Sequence, residues 1–285
     1  MGSQVRKYTR TRYGNFILGS VLILAGAFSL LPMYYALMTS FKPLDELMVF
    51  PPRFFVLRPT LRNYTELPVI ISTLWVPFSR YLFNSIFVTV ITTFLHVIVA
   101  TLAAFVLAKT KLAGRKIIFL IIQFSLLFNV FTLAIPQYII FARLGIINTY
   151  FVYILPFLPS ALGAFLIKQY IEDSIPDTLV EAAKIDGANY PMIYWRIIMP
   201  MIKPGWLTLS LFTFRDVWAM PATGTIFSEE LKMLPNVMSQ ILYGGIARTG
   251  NVMAATVVMM IPPIIVYLVS QSYIVETMSS AGIKD

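Results

Sequence analysis

Long uninterrupted apolar runs, separated by short charged islands, organise this chain. No Asp, Glu, Lys or Arg occurs between Arg12 and Lys42, Arg80 and Lys109, Lys116 and Arg143, Arg143 and Lys168, or Arg248 and Glu276. A sixth run, from Pro204 to Ser228, is broken only by Arg215-Asp216. Each run reaches the roughly 20 residues that a helix needs to cross a hydrocarbon core of about 30 Å. The pattern predicts an all-α integral membrane fold. Its six transmembrane helices fall at about 15–39, 81–108, 117–136, 150–168, 204–225 and 251–275. Ala25-Gly26-Ala27 in the first run looks like a signal-peptide cleavage site, but the apolar character continues to Met38, which predicts an uncleaved helix.

Composition agrees with the pattern. Hydrophobic residues make up 58% of the 285-residue chain and charged residues 12%, with a mean hydropathy of +0.77. A soluble domain carries about 25% charged residues, so this chain lacks the means to cover itself with a wetted surface. No shift in composition divides it, and the reading is one transmembrane domain over residues 1–285. The net charge of +9 suggests sorting of basic loops to the cytoplasmic side rather than nucleic acid. Without cysteine the chain has neither disulfides nor thiolate metal sites.

The basic residues set an orientation. With the N-terminus inside, inner segments 1–14, 109–116, 168–203 and 276–285 hold thirteen Lys and Arg, against eight in the longer outer segments. The short inner loop at 109–116 alone carries Lys109, Lys111, Arg115 and Lys116, and short loops weigh most. Both termini are therefore expected in the cytoplasm. Outside, residues 41–80 carry Pro43, Pro51, Pro52, Pro59, Pro68 and Pro77 and read as an irregular cap with one short helix near 60–67. Segment 226–250 reads as a short amphipathic helix and a turn. Plain connection and docking of an external partner both fit these segments.

The inner segment 168–203 has its own grammar. Ser174 can cap a helix, Pro176 suits its first turn, Asp177 complements the dipole, and Gly187 offers a stop. Asn189 can cap a second helix running from Pro191 through Met192 to Met199, giving a helix-turn-helix elbow across the membrane face. The two alanines Ala182 and Ala183 leave a thin helix able to enter a partner's groove, and Glu181 offers a carboxylate for a charge-assisted bond. By spacing alone, an ordinary solvated helix is the favoured reading, because Glu-Ala-Ala is a common helical string.

Glu181-Ala182-Ala183-Lys184-Ile185-Asp186-Gly187, closed by Ile197-Ile198-Met199-Pro200, resembles the EAA loop of bacterial ABC importer permeases. The resemblance covers almost the whole chain, through Ser40-Phe41-Lys42-Pro43, Asn63-Tyr64, Asn84-Ser85, Leu102-Ala103-Ala104-Phe105, Asn148-Thr149, Gln169-Tyr170 and Lys203-Pro204 in order. It points to carbohydrate-importer permeases of the maltose-transporter type, the smaller of the two membrane subunits. That family implies the type I ABC importer architecture in a bacterial inner or plasma membrane, with no catalytic residue and no cofactor in this chain. ATP and Mg would sit on two partner ATPase subunits. A second permease, forming a heterodimer, and an extracytoplasmic sugar-binding protein would complete the assembly. Glu181, Ala182, Ala183, Lys184, Asp186 and Gly187 would couple to the ATPase.

Two departures matter. Met199 precedes Pro200 where the family has Leu, and Trp218 is followed by Ala219-Met220-Pro221 where the family has Trp-Asn-Asp or Trp-Asn-Glu. The second points to a solute unlike maltose. Arg215, Asp216, Trp218 and Asn129 are the candidate pathway residues. Ionisable groups inside a membrane helix face a cavity or form a structural pair, and both readings fit Arg215-Asp216. Gln123 and Asn129 share no common face and read as interhelical hydrogen-bonders, and His96 reads as a buried, hydrogen-bonded ring. No Gly-x-x-x-x-Gly-Lys loop and no hydrolase motif is present. The alternative is an ion-coupled secondary transporter of a small polar solute, which would also place Arg215-Asp216 at mid-depth.

Overall fold

The computed structural model describes residues 12–72, 76–128, 130–221, 224–242 and 244–282. Among them there is no strand. In chain order the helices are α1 (Arg12–Ser40), α2 (Leu44–Leu47), α3 (Arg62–Ser72), α4 (Phe78–Lys109), α5 (Arg115–Ser125), α6 (Val130–Arg143) and α7 (Phe151–Ile154). There follow α8 (Ala161–Ser174), α9 (Asp177–Ile185), α10 (Tyr190–Ile193), α11 (Met199–Met201), α12 (Lys203–Trp218), α13 (Leu234–Leu242) and α14 (Thr249–Gly282).

Among the described residues, three helical stretches are long and apolar enough to span a membrane unbroken: Tyr13–Ser40, Phe78–Lys109 and Thr249–Gln271. They correspond to the first, second and last expected spans. The fourth and fifth are bent pairs, which brings the number to five if each pair is one span. Phe151–Phe157 and Ala161–Ser174 meet at 41°, and Tyr190–Met201 and Lys203–Trp218 at 80°. The first bend follows from chemistry. Pro156 and Pro159 lack the N–H that would continue a helix, and Ser160 restarts it, its Oγ accepting from the Gly163 N–H at 2.9 Å. The expected third span, 117–136, is instead two pieces. α5 ends at Ser125, and α6 runs from Val130 past Pro136 to Arg143. α12 stops at Trp218, short of the expected residue 225, with Pro221 just beyond.

The chain divides into two compact units, Met1–Leu67 with Gly244–Val258, and Pro68–Tyr243 with Met259–Asp285. In the first, the irregular segment after α1 is held by side chains that replace a regular ladder. Asn63 Nδ2 donates to the carbonyls of Ser40 and Lys42, each at 2.8 Å, and the Ser40 and Tyr64 hydroxyls meet at 2.7 Å. Asn251 Nδ2 donates to the Asn63 carbonyl at 3.1 Å, and Glu46 accepts from the Leu57 N–H at 2.9 Å. The expected short helix is α3, beginning at Arg62.

In the second unit α4 is the central post, with α8 and α12 against it. Toward its C-terminal end Val97, Ala100, Ala104, Phe105 and Ala108 pack with Ile167, Ile171, Val180, Ala183, Ile193, Ile198 and Leu209. The small residues on α4 let the neighbouring backbones approach closely. At its other end, polar side chains hold the segment before α13. Asn84 Nδ2 donates to the carbonyls of Glu230 and Lys232 at 2.7 and 2.9 Å, and Tyr150 donates to Asn84 Oδ1 at 2.7 Å. Ser85 Oγ accepts from the Leu234 N–H at 2.7 Å. Asn148, in the left-handed region at φ 62°, accepts from the N–H groups of Phe227 and Ser228.

Candidate coupling elbow and translocation cavity

The elbow forms much as its punctuation predicts, with two corrections. Ser174 is the last residue of α8 and does not cap α9; Pro176 holds the N-cap position, in extended conformation at ψ 147°, and Asp177 opens the helix. The end of α9 is a complete Schellman motif. Gly187 sits at φ +85°, its N–H donates to the Lys184 carbonyl at 3.0 Å, and the Ala188 N–H donates to the Ala183 carbonyl at 2.9 Å. Asn189 caps α10 as expected, its Oδ1 accepting from the Met192 N–H at 2.9 Å. The second arm is not one regular helix: α10 passes into a π turn over Tyr194–Ile198 and then α11.

One face of the elbow is buried and the other bare. Val180, Ala183, Ile193, Tyr194 and Ile198 pack on the ends of α4 and α8, and the Tyr194 hydroxyl meets Thr101 Oγ1 at 2.8 Å. Glu181, Ala182, Ile185, Asp186 and Gly187 are exposed. The two alanines thus differ: Ala183 is core and Ala182 surface. Lys184 is occupied within the elbow, its Nζ donating to the Tyr190 hydroxyl at 2.8 Å and lying 4.3 Å from that ring's centroid. The side chains of Glu181 and Asp186 make no hydrogen bond or ion pair among the described residues. Ile185 is 87% exposed, a large side chain that motif reading passed over. Its signal was its place one turn after Glu181.

Lys109 was also passed over as a site residue, counted only as a positive loop charge. Its side chain is 5% exposed, and its Nζ donates to the Ile175 carbonyl at 2.5 Å and to Asp177 Oδ1 at 2.6 Å. It locks the start of the elbow to the end of α4. The Lys109 hydrogen bond and charge, aided by Arg115, hold the Asp177 carboxyl below its usual range despite slight desolvation.

The candidate pathway residues separate. Asp216 lines a cavity of about 770 Å³ between α4, α6, α8 and α12, together with His96, Gln137, Tyr138, Ser160 and Thr213. Arg215, its neighbour, lines a different groove with Pro263, Ile264 and Tyr267. The two do not form an ion pair with each other. Trp218 lies in neither, against expectation: it is buried, its Nε1 donates to the Met259 carbonyl at 3.0 Å, and it stacks on Phe214. Its place three residues beyond Arg215 puts it on the core face of α12. Asn129 lies outside the described residues. Gln123 is exposed, and Ser125 bonds back to its own helix at the Ile122 carbonyl. His96 is buried and hydrogen-bonded, with Nδ1 2.7 Å from the Phe157 carbonyl. Among the described residues, no group of three or more His, Cys, Asp or Glu is arranged to hold a metal ion.

Residues 97–280 match the family described as "Binding-protein-dependent transport system inner membrane component". The chain is 29% identical over 282 residues to the inner membrane ABC transporter permease protein YcjP of Escherichia coli, covering 98% of each. It is 30% identical over 274 residues to the sulfoquinovosyl glycerol transport system permease protein SmoH of Agrobacterium fabrum, covering 94% of this chain and 93% of the relative. In structure it resembles a chain of a bacterial ABC transporter involved in the import of the acidic polysaccharide alginate. The TM-score is 0.78 at 25% identity, covering 93% of this chain and 98% of that one.

Proposed function

The chain belongs to the binding-protein-dependent transport system inner membrane components, and from that premise we propose that it moves a carbohydrate through a pathway shared with a second permease. Membership makes it a membrane-spanning permease subunit of an ABC importer, with ATP hydrolysis on a separate subunit and solute delivered by a binding protein. The carbohydrate reading draws on the relatives' sulfoquinovosyl glycerol and alginate. The whole chain acts as one permease domain with six spans, α5 and α6 forming the third, both termini and the elbow in the cytoplasm, and ATP and Mg on the partner ATPases.

One observation carries the mechanism: a bare surface of Glu181, Ala182, Ile185 and Asp186 stands on a base that is fully packed. An exposed isoleucine beside a carboxylate fits a groove with an apolar floor and a basic rim, which this reading requires of the ATPase. Closure of the ATPases on ATP pulls the elbow. Its packing against α4 and α8, with the Lys109 clasp, carries that displacement into the membrane helices, and the cavity beside α12 opens outward to take solute from the binding protein.

Uptake into vesicles tests the reading. Accumulation should need ATP inside and the binding protein outside, and it should survive a protonophore. Uptake that collapses with the ion gradient and ignores ATP would assign the chain to ion-coupled carriers instead.

A further inference from the structure

Pro262 and Pro263 stand inside α14, within the apolar stretch Thr249–Gln271. In an α-helix the N–H of each residue bonds the carbonyl four residues earlier. Proline has no N–H, so the pair deprives the Val258 and Met259 carbonyls of their ladder donors. In hydrocarbon no water can replace such a donor, and a neighbouring helix must supply one. Trp218 does so for Met259. Its Nε1 donates to that carbonyl at 3.0 Å, from a ring only 3% exposed and stacked on Phe214. The indole bond thus falls on a carbonyl that Pro263 itself leaves open. The two missing ladder bonds also make this the point where α14 bends most easily.

A second indole marks the other end of α12. The chain bends by 80° between Tyr190–Met201 and Lys203–Trp218. Across that bend Trp206, in the first turn of α12, donates Nε1 to the Met199 carbonyl at 3.1 Å, and it packs on the core that seats the elbow. α12 is therefore fastened to the elbow at its start and to α14 at its last residue. Between these points a groove of about 350 Å³, lined by Leu211, Phe212, Arg215, Pro263, Ile264 and Tyr267, lies between α12 and the turns of α14 that follow Met259. Side-chain packing closes only part of this contact, which leaves the Trp218 bond to hold the joint. We propose that Trp218 is a positioning residue for translocation: its N–H replaces the one that Pro263 lacks, and the bond makes α14 follow α12 when the elbow moves. The proposal rests on the elbow reading above and extends it to α14.

The test uses the complete importer in lipid nanodiscs, with its partner permease, its ATPases and its binding protein as purified. Trp218→Phe keeps an aromatic ring against Phe214 and removes only the donor. It should lower the temperature at which half of the complexes come apart by several degrees, because a buried carbonyl loses its partner. Pro263→Ala returns an N–H to the Met259 carbonyl, and in that background Trp218→Phe should leave the temperature unchanged. Binding-protein-stimulated ATP hydrolysis should behave differently. Trp218→Phe should reduce the stimulation severalfold in both backgrounds, since mending the ladder of α14 does not restore its tie to α12. Equal thermal losses in the two backgrounds would show that the indole does not replace the missing N–H. Stimulation that returns together with stability in the double variant would make Trp218 merely structural. Either result overturns the proposal. Glu181→Lys separates it from its premise: stimulation left unaltered by that change removes the elbow reading, and with it the transmission, whatever the thermal comparison gives.

Discussion

Lys109 lies almost wholly out of solvent, yet both of its partners belong to the start of the elbow. A buried ammonium is tolerable only while it is paired, so this contact binds the elbow to α4. Lys109→Met should weaken that attachment by about 2 kcal/mol, the range for hydrogen bonds to a charged group, raising amide exchange at residues 175–186 while the membrane helices stay protected. Asp177→Asn should cost less, because Asp177 is mostly exposed and exposed ion pairs contribute about 0–1 kcal/mol. Its pH dependence has a definite sign. A carboxyl whose folded pKa is depressed contributes stability above its unfolded pKa and loses it as pH falls through the folded value. Elbow protection should therefore be flat through neutral pH and decline only below about 4, the ordinary aspartate pKa. Asp177→Asn should abolish that decline. At Gly187, φ +85° costs other residues roughly 1–2 kcal/mol. Gly187→Pro also removes the N–H that bonds the Lys184 carbonyl, and the turn should open to protease.

At the scale of elements, the sequence made most of the helices legible because charge gaps and prolines act over short range. The elbow's glycine stop and Asn189 cap were readable for the same reason. Its first cap was not: Ser174 and Pro176 stand two residues apart, and α8 runs on through Ser174. The fate of Trp218 was not readable either. α12 is apolar on most sides, so no contrast marks which face turns inward, and only packing against the Met259 turn decides it. The family signposts Asn63, Asn84, Ser85 and Asn148 gain a physical account, since each supplies side-chain bonds to a loop backbone that has no ladder of its own. Asn84→Ala should leave α4 intact but free the carbonyls of Glu230 and Lys232, costing about 1–3 kcal/mol. Faster exchange confined to residues 226–234 would be the expected signature; exchange unchanged there would show that the segment is held by its apolar packing alone.

Taken as a whole, the molecule exposes more apolar surface than water permits, including most of α1, where Ile23 and Phe28 are about three-quarters exposed. Lipid and partner helices account for that surface. The same chain offers one small polar-rimmed platform, the elbow, and the central claim is that this platform passes ATPase motion to the pathway. The most direct measurement is binding-protein-stimulated ATP hydrolysis by the reconstituted complex carrying Glu181→Lys or Ile185→Asp. Both exposed substitutions should leave the protein inserted. Ile185→Asp places a charge in an apolar groove, and Glu181→Lys reverses the one expected to meet a basic rim. The account predicts that stimulation falls to the basal rate in both variants. Full wild-type stimulation in both would contradict it.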